Sequence, residues 1–218
     1  MQNHPLMIIG GGGHTSVLVG MAKRAGLTLR GILTQDAALV GSEIHGVPVL
    51  GLEDTVSLAP DSVAILNGVG NRASRHGSGL GVRAAVFTRY QARGFFVAPL
   101  ISDDAVTMPD ITLGAAVQIM PGAVIQSGAM IGENSIINTR ASVDHDVVIA
   151  PHAHIAPGAV LCGGAVIGEQ AHVGAGAIVL QGVRVGNHAV IGAGAVVSRD
   201  VPDGGLVRAA PSEFGKLM

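Results

Sequence analysis

Aromatic residues are nearly missing from this chain, which holds no Trp, one Tyr and four Phe in 218 residues. A conventional core of that size leans on such side chains, so the interior must be built from something else. There is one cysteine, Cys162. That excludes an internal disulfide and fits a reducing compartment. Net charge is only −2, and no electrostatic footprint for nucleic acid results. Long apolar runs are absent too. Mean hydropathy is high at +0.50, yet no window approaches the ~20 apolar residues of a membrane helix. Met1–Pro5 is polar and the run Leu6–Ile9 meets four glycines, which is too short for a leader. The expectation is a cytoplasmic protein with no membrane insertion and no nucleic-acid partner.

What the chain has instead is a repeat. From Leu113 to Pro202 an aliphatic residue recurs every six positions, as in Ile119, Ile125, Ile131 and Ile137. A small or β-branched residue follows four later, as in Ala123, Ala129, Ser135 and Ala141. Fifteen consecutive hexads keep this pattern, and such a period means a solenoid. A thin solenoid core has room for Ile, Val and Ala but little more. Three hexads make an 18-residue triangular coil, with first and fifth positions inward and third and fourth at the corners. Coils stack at the strand spacing of about 4.8 Å. A loose six-residue spacing at Ile101, Ala105, Thr107 and Ile111 implies an irregular first coil before Leu113.

The first hundred residues read differently. Strands are expected at Leu6–Ile9, Leu29–Leu33, Val47–Leu50, Val63–Leu66 and Phe95–Val97, with helices near Thr15–Arg24 and Val82–Arg93. Strands alternating with helices define a small parallel, Rossmann-like α/β unit. The domains expected are 1–97, binding a nucleotide sugar, and 98–218, the solenoid. Ligands of such sheets sit beyond the carboxyl ends of the strands. The loops there are Gly10–His14, Thr34–Asp36 and Asn67–Asn71. Backbone N–H groups of Gly12 and Gly13, opening a helix, can hold phosphate, although a glycine loop after a strand also serves as a plain tight turn. The third glycine of a dinucleotide fingerprint is replaced by Thr15 or Ser16, so a mononucleotide or nucleotide sugar fits better than NAD. Candidate substrate residues are Gly12, Gly13, His14, Asp36, Asn67 and Gly68. His14 could face a phosphate or cap its helix. Asp36 could accept from a base or ribose, or be a solvated turn residue.

Corner arithmetic sorts the polar residues of the solenoid. One corner stacks Ser127-Gly128, His145-Asp146, Gly163-Gly164, Gln181-Gly182 and Arg199-Asp200. There a His–carboxylate pair lies one coil below glycines whose N–H groups are uncovered by side chains. That is the layout of a general base beside an oxyanion donor, or else a polar corner with glycines chosen for turn dihedrals. His154 and His172, 18 residues apart, stack on one outward face and suggest a metal site or a subunit contact. His152 and His188 occupy another corner and read as solvated. Zinc catalysis needs three convergent ligands, and no such set is visible. Asn138 lies on the face opposite the His145 corner, so one subunit cannot bring the two together. An active site between subunits follows.

Three segments carry a family resemblance: Met7-Ile8-Ile9-Gly10-Gly11-Gly12-Gly13-His14, Asn138-Thr139-Arg140-Ala141-Ser142-Val143-Asp144-His145-Asp146, and Ala209-Ala210-Pro211 after the hexads. Together they resemble the PglD- and NeuD-type sugar N-acetyltransferases of the hexapeptide-repeat acyltransferase superfamily. The resemblance implies a C-terminal left-handed parallel β-helix, a homotrimer with active sites between subunits, and acetyl-CoA as co-substrate without a metal. It implies catalytic His145 and Asp146, Asn138 near the sugar amine, His154 against acetyl-CoA, and an oxyanion amide at Gly163, with Gly164 and Gly182 also at the cofactor. Asp146 is shorter than the Glu often found there, which implies a longer or water-mediated contact with the ring. The tail Ala209-Ala210-Pro211-Ser212 departs from the usual Gly-x-Pro-Ala, and Thr34-Gln35-Asp36 departs from the usual acidic pair. The implied reaction is N-acetylation of a nucleotide-linked 4-amino-4,6-dideoxy sugar for bacterial glycan synthesis. O-acetylation of a sugar hydroxyl and a non-enzymatic binding solenoid are the alternatives.

Overall fold

A computed structural model describes residues 4–70 and 79–209. Asn71 and the tail from Ala210 onward lie outside the described residues. The first region is a sheet of β1 (Leu6–Ile9), β2 (Leu29–Thr34), β3 (Glu43–Ile44), β4 (Val47–Leu52) and β5 (Ala64–Asn67), with α1 (Gly13–Arg24) and α2 (Val82–Ala92). Strand order is β3-β4-β2-β1-β5. Every pairing is parallel except β3 with β4. That hairpin was not expected. His45 and Gly46 both take positive φ, 48° and 72°, which is the two-residue turn that matches strand twist. Phe95–Val97, expected as a strand, makes only a bridge from Val97 to Ile65, because the chain departs at once for the first coil.

Residues of β1 are at most 7 % exposed, since both faces of the strand are covered. Leu18, Val19 and Ala22 of α1 cover one face, joined by Met120 and Ile136 of the solenoid. Val86, Phe87 and Tyr90 of α2 cover the other, joined by Ala116. Both cores of the α/β region therefore continue into the solenoid.

The solenoid begins with strand Leu100–Ile101, and two-residue strands follow at six-residue steps. The first coil is regular rather than irregular. Three parallel sheets of seven, six and five strands form the faces. Partners are 18 residues apart, as in Val124 with Ser142 and His154 with His172. Inward first and fifth positions form one continuous core from Val117 to Val201. Corner geometry explains the glycines: the fourth position is left-handed in coil after coil, at Gly128, Gly158, Gly164 and Gly182, and also at Asn134, Arg140, Asp146 and His152. Glycine enters that region without steric cost; the other residues do so only where something compensates.

The repeat does not run evenly to Pro202. Val179 pairs with Val197, 18 residues on, but Val185 bridges Val201 and Val190 pairs with Leu206, each 16 on. Two residues are missing from the last corner. Asp200 closes the gap, its carboxylate accepting the Arg184 N–H at 2.8 Å. No helix among the described residues is long and apolar enough to cross a membrane.

Candidate active site

The sheet reverses its winding between β1 and β5, and a cleft of about 690 Å³ opens beyond their carboxyl ends. One wall is Gly10–Gly13, His14, Asp36, Glu53 and Gly68; the other is Asn138, Thr139, His154 and Pro157 of the solenoid. The N-cap of α1 is Gly12, which supplies no side-chain cap, so the first N–H groups of the helix are left for a ligand. Side chains at Gly12 or Gly13 would meet nothing within 4 Å. Gly11 is tighter, with Leu39 and Thr34 against it.

His14 does not cap its helix. Its Nε2 bonds Gln118 Oε1 at 2.7 Å, and Gln118 Nε2 donates to the Asn67 carbonyl at 2.9 Å. That chain fixes the tautomer. The Gln118 amide must donate to a carbonyl, so its oxygen faces His14 and Nε2 carries the hydrogen. Nδ1 keeps its lone pair. Burial, then the charge of Arg83, lowers the His14 pKa to about 4, so the ring is neutral at pH 7. Asp36 caps a short 3-10 turn, accepting the Ala38 N–H at 3.0 Å, with oxygen lone pairs to spare.

Asn67 corrects the expectation of a ligand-facing residue. Its side chain is buried, donating to the Arg83 carbonyl at 3.0 Å and to Asn134 Oδ1 at 3.1 Å while accepting the Val69 N–H. It joins the sheet to the solenoid. Gly68 lines the cleft but is also a packing glycine: a β-carbon there would lie 2.5 Å from Thr15 Oγ1. His152, expected in solvent, is half-buried. Asn134 Nδ2 lies 3.0 Å from its Nδ1 and its ring meets the edge of Phe87.

The His145 corner lies between the six- and five-stranded sheets. Its Nδ1 is 2.9 Å from Asp146 Oδ2. The shorter carboxylate reaches directly because Asp146 takes φ 57°, and Gly128 leaves it room: a β-carbon there would be 2.5 Å from Asp146 Oδ1. With Nδ1–H held by the carboxylate, the lone pair is on Nε2, which sits over Gly163. The Asp146 hydrogen bond, then Asp144, raises the His145 pKa. The Gly163 N–H has no acceptor among the described residues. The neighbouring amides are engaged: Gly164 N–H bonds the His145 carbonyl at 2.9 Å, and Gly182 N–H bonds that of Gly163 at 3.1 Å. These are the rungs that stack the coils.

Asn138 leaves the seven-stranded face. Its Nδ2 lies 3.1 Å from His154 Nε2 and its Oδ1 accepts the Thr139 N–H. His154 and His172 stack edge to face at 5.0 Å. Among the described residues, no three His, Cys, Asp or Glu converge as a metal site. A second cleft of about 700 Å³ continues up this face past His172, Gly174, Gly192 and Arg208. Neither cleft includes His145.

Sequence reasoning missed Arg83, Gln118 and Asn134. Gln118 carried no distinctive signal, since the sixth position is polar at Thr112, Ser142, His154, His172 and Arg184 as well.

Comparison with known proteins places the solenoid first. The bacterial transferase hexapeptide (six repeats) family matches residues 128–163 and 164–199, and the fold is the left-handed parallel β-helix of that class. Whole-chain matches narrow it. The acetyltransferase domain of PglB from Neisseria gonorrhoeae, solved with acetyl coenzyme A, is 35% identical with a TM-score of 0.85, covering 97% of this chain and 98% of that one. PerB from Caulobacter crescentus, in complex with CoA and GDP-perosamine, is 32% identical with a TM-score of 0.84, covering 97% of each. WeeI from Acinetobacter baumannii AYE is 25% identical with a TM-score of 0.82, covering 96% and 99%. The chain belongs to the sugar N-acetyltransferases of the left-handed β-helix superfamily.

Proposed function

We propose that the protein transfers the acetyl group of acetyl-CoA to the amine of a nucleotide-linked amino-deoxy sugar, of the 4-amino-4,6-dideoxyhexose type, for bacterial surface glycan synthesis. One observation carries this reading: a single cleft joins an uncapped, glycine-opened helix to Asn138 and His154. Such a cleft suits a ligand with a phosphate group at one end and an amine to be oriented at the other. PerB in its complex with CoA and GDP-perosamine supports it.

Residues 1–97 hold the nucleotide and 98–218 the acetyl-CoA. Gly12 and Gly13 N–H groups take the diphosphate, while Asp36 and Gly68 border the nucleotide. His14 Nδ1 and Asn138 orient the sugar. The protein works as a homotrimer, in which His145 and Asp146 come to Asn138 from a neighbouring subunit. Acetyl-CoA lies between the two, against His154 and the cleft toward Arg208 on one side and Gly163, Gly164 and Gly182 on the other.

As the amine attacks the thioester carbonyl, His145 Nε2 takes its proton and Asp146 stabilises the imidazolium. The Gly163 N–H donates to the oxyanion of the tetrahedral intermediate. Collapse breaks the C–S bond, and the imidazolium proton goes to the departing thiolate. No covalent enzyme intermediate forms. The test is a thiol-release assay with acetyl-CoA and a panel of UDP-, GDP- and dTDP-linked 4-amino sugars, with the 4-hydroxy sugars as controls. Release that requires the amine is expected. Release from none of the amino sugars, or equal release from the hydroxy sugars, sinks the reading.

A further inference from the structure

We infer that Arg83 is a positioning residue for the substrate diphosphate, acting from beneath the cleft through its charge and through the loop it holds. The inference rests on the nucleotide-sugar reading above. Arg83 lies in the first turn of α2 and is 0 % exposed. Its Nε donates to the Asn134 carbonyl at 2.8 Å, and Nη1 donates to the carbonyls of Asn67 at 3.1 Å and Val69 at 2.9 Å. All three acceptors are neutral. Nη2 is buried with no partner among the described residues.

Among the described residues no carboxylate pairs with this cation. The two acidic groups at the cleft are engaged elsewhere, Glu53 with Arg89 and Asp36 with its own turn. Burying a charge without a counter-ion is costly, and a clamp across three carbonyls needs donors, not a full charge. The location gives the charge a use. Val69 and Gly70, on the loop Arg83 holds, line the cleft, as do Val82 and Val86 on its own helix. Its field reaches the cleft wall, where it helps keep His14 unprotonated. The sign is complementary to a diphosphate, and low surrounding polarity lengthens its reach. Since no guanidinium atom opens to the cleft, the effect is indirect: the loop is set in place and the anion is drawn to it.

The experiment is titration calorimetry of wild type, R83M and R83K with guanosine, GMP and GDP, with uridine, UMP and UDP, and with acetyl-CoA, alongside steady-state kinetics. R83M is expected to lose at least ~10-fold in affinity for the bound diphosphate, with nucleoside and acetyl-CoA affinities within ~3-fold of wild type. KM for the nucleotide sugar rises while kcat holds, and R83K, which keeps the charge, restores much of the loss. Equal losses for nucleoside and diphosphate, or R83K no better than R83M, overturn the inference and leave a packing role. Should R83M fail to fold, R83K decides: a diphosphate-to-nucleoside affinity ratio near wild type supports the charge, and a collapsed ratio overturns it. Wild type that binds neither GDP nor UDP defeats the substrate reading itself.

Discussion

The ring of His145 occupies the space that any side chain on Gly163 would need: a β-carbon there would stand 2.5 Å from Nε2 and 2.6 Å from Cε1. Gly163 is not among the residues with positive φ. Space, not backbone freedom, demands the glycine. G163A should therefore fold with an unchanged or slightly raised Tm, because alanine fits the backbone and restricts the unfolded chain. Its kcat should fall at least ~10-fold as the base is pushed aside. Wild-type turnover in G163A would show that the ring position is incidental.

H145A should lower turnover by at least ~10²-fold, the usual scale for losing a general base, while acetyl-CoA binding is kept. The pH dependence has a definite sign. A base must be deprotonated, and Asp146 raises the His145 pKa, so kcat/KM should climb with pH through a midpoint above that of an ordinary histidine. D146N removes that support and should move the limb to lower pH. A limb that stays put in D146N would dissociate the carboxylate from the ring's titration.

Mixing inactive subunits tests the proposal of a site shared between subunits. N138A and H145A, each poorly active alone, should regain activity when refolded together, with about one site in four intact under random assembly into trimers. No recovery on mixing, in trimers shown to contain both chains, would place Asn138 and His145 in separate roles.

Gln118 links α1, β5 and the solenoid through His14 and Asn67. Q118A leaves the buried ring N–H of His14 without its partner and strips the Asn67 carbonyl of one of its two donors, Arg83 remaining, so urea denaturation should show a loss of about 1–3 kcal/mol. A midpoint within error of wild type would mean water replaces the amide without cost.

Legibility in the sequence followed periodicity. Hexads encode their own geometry, so the corner holding His145, Asp146, Gly128 and Gly163 could be located by counting. The same counting failed at the end of the repeat. Val201 stands four residues after Val197 and satisfies the fifth position, yet it bridges Val185, a first position. A two-residue cut inside a corner leaves the apolar pattern intact while shifting the register. Asn67 was misjudged for another reason. Its partners Arg83 and Asn134 lie 16 and 67 residues away, and no local pattern announces a buried polar contact between non-adjacent segments. The His45-Gly46 turn escaped because histidine is an unusual first residue for it.

The polar joint of Arg83, Asn67, Gln118 and Asn134 has one more consequence. It ties both walls of the cleft together by buried hydrogen bonds, which resist any change in the span from the glycine-opened helix to Asn138. Such a cleft works as a gauge. A sugar whose amine stands too near its phosphate, or too far, cannot satisfy both ends at once without breaking buried hydrogen bonds of this joint. Selectivity by reach then comes from a fixed length, and a change of substrate size would call for remodelling the joint before any residue that touches the sugar.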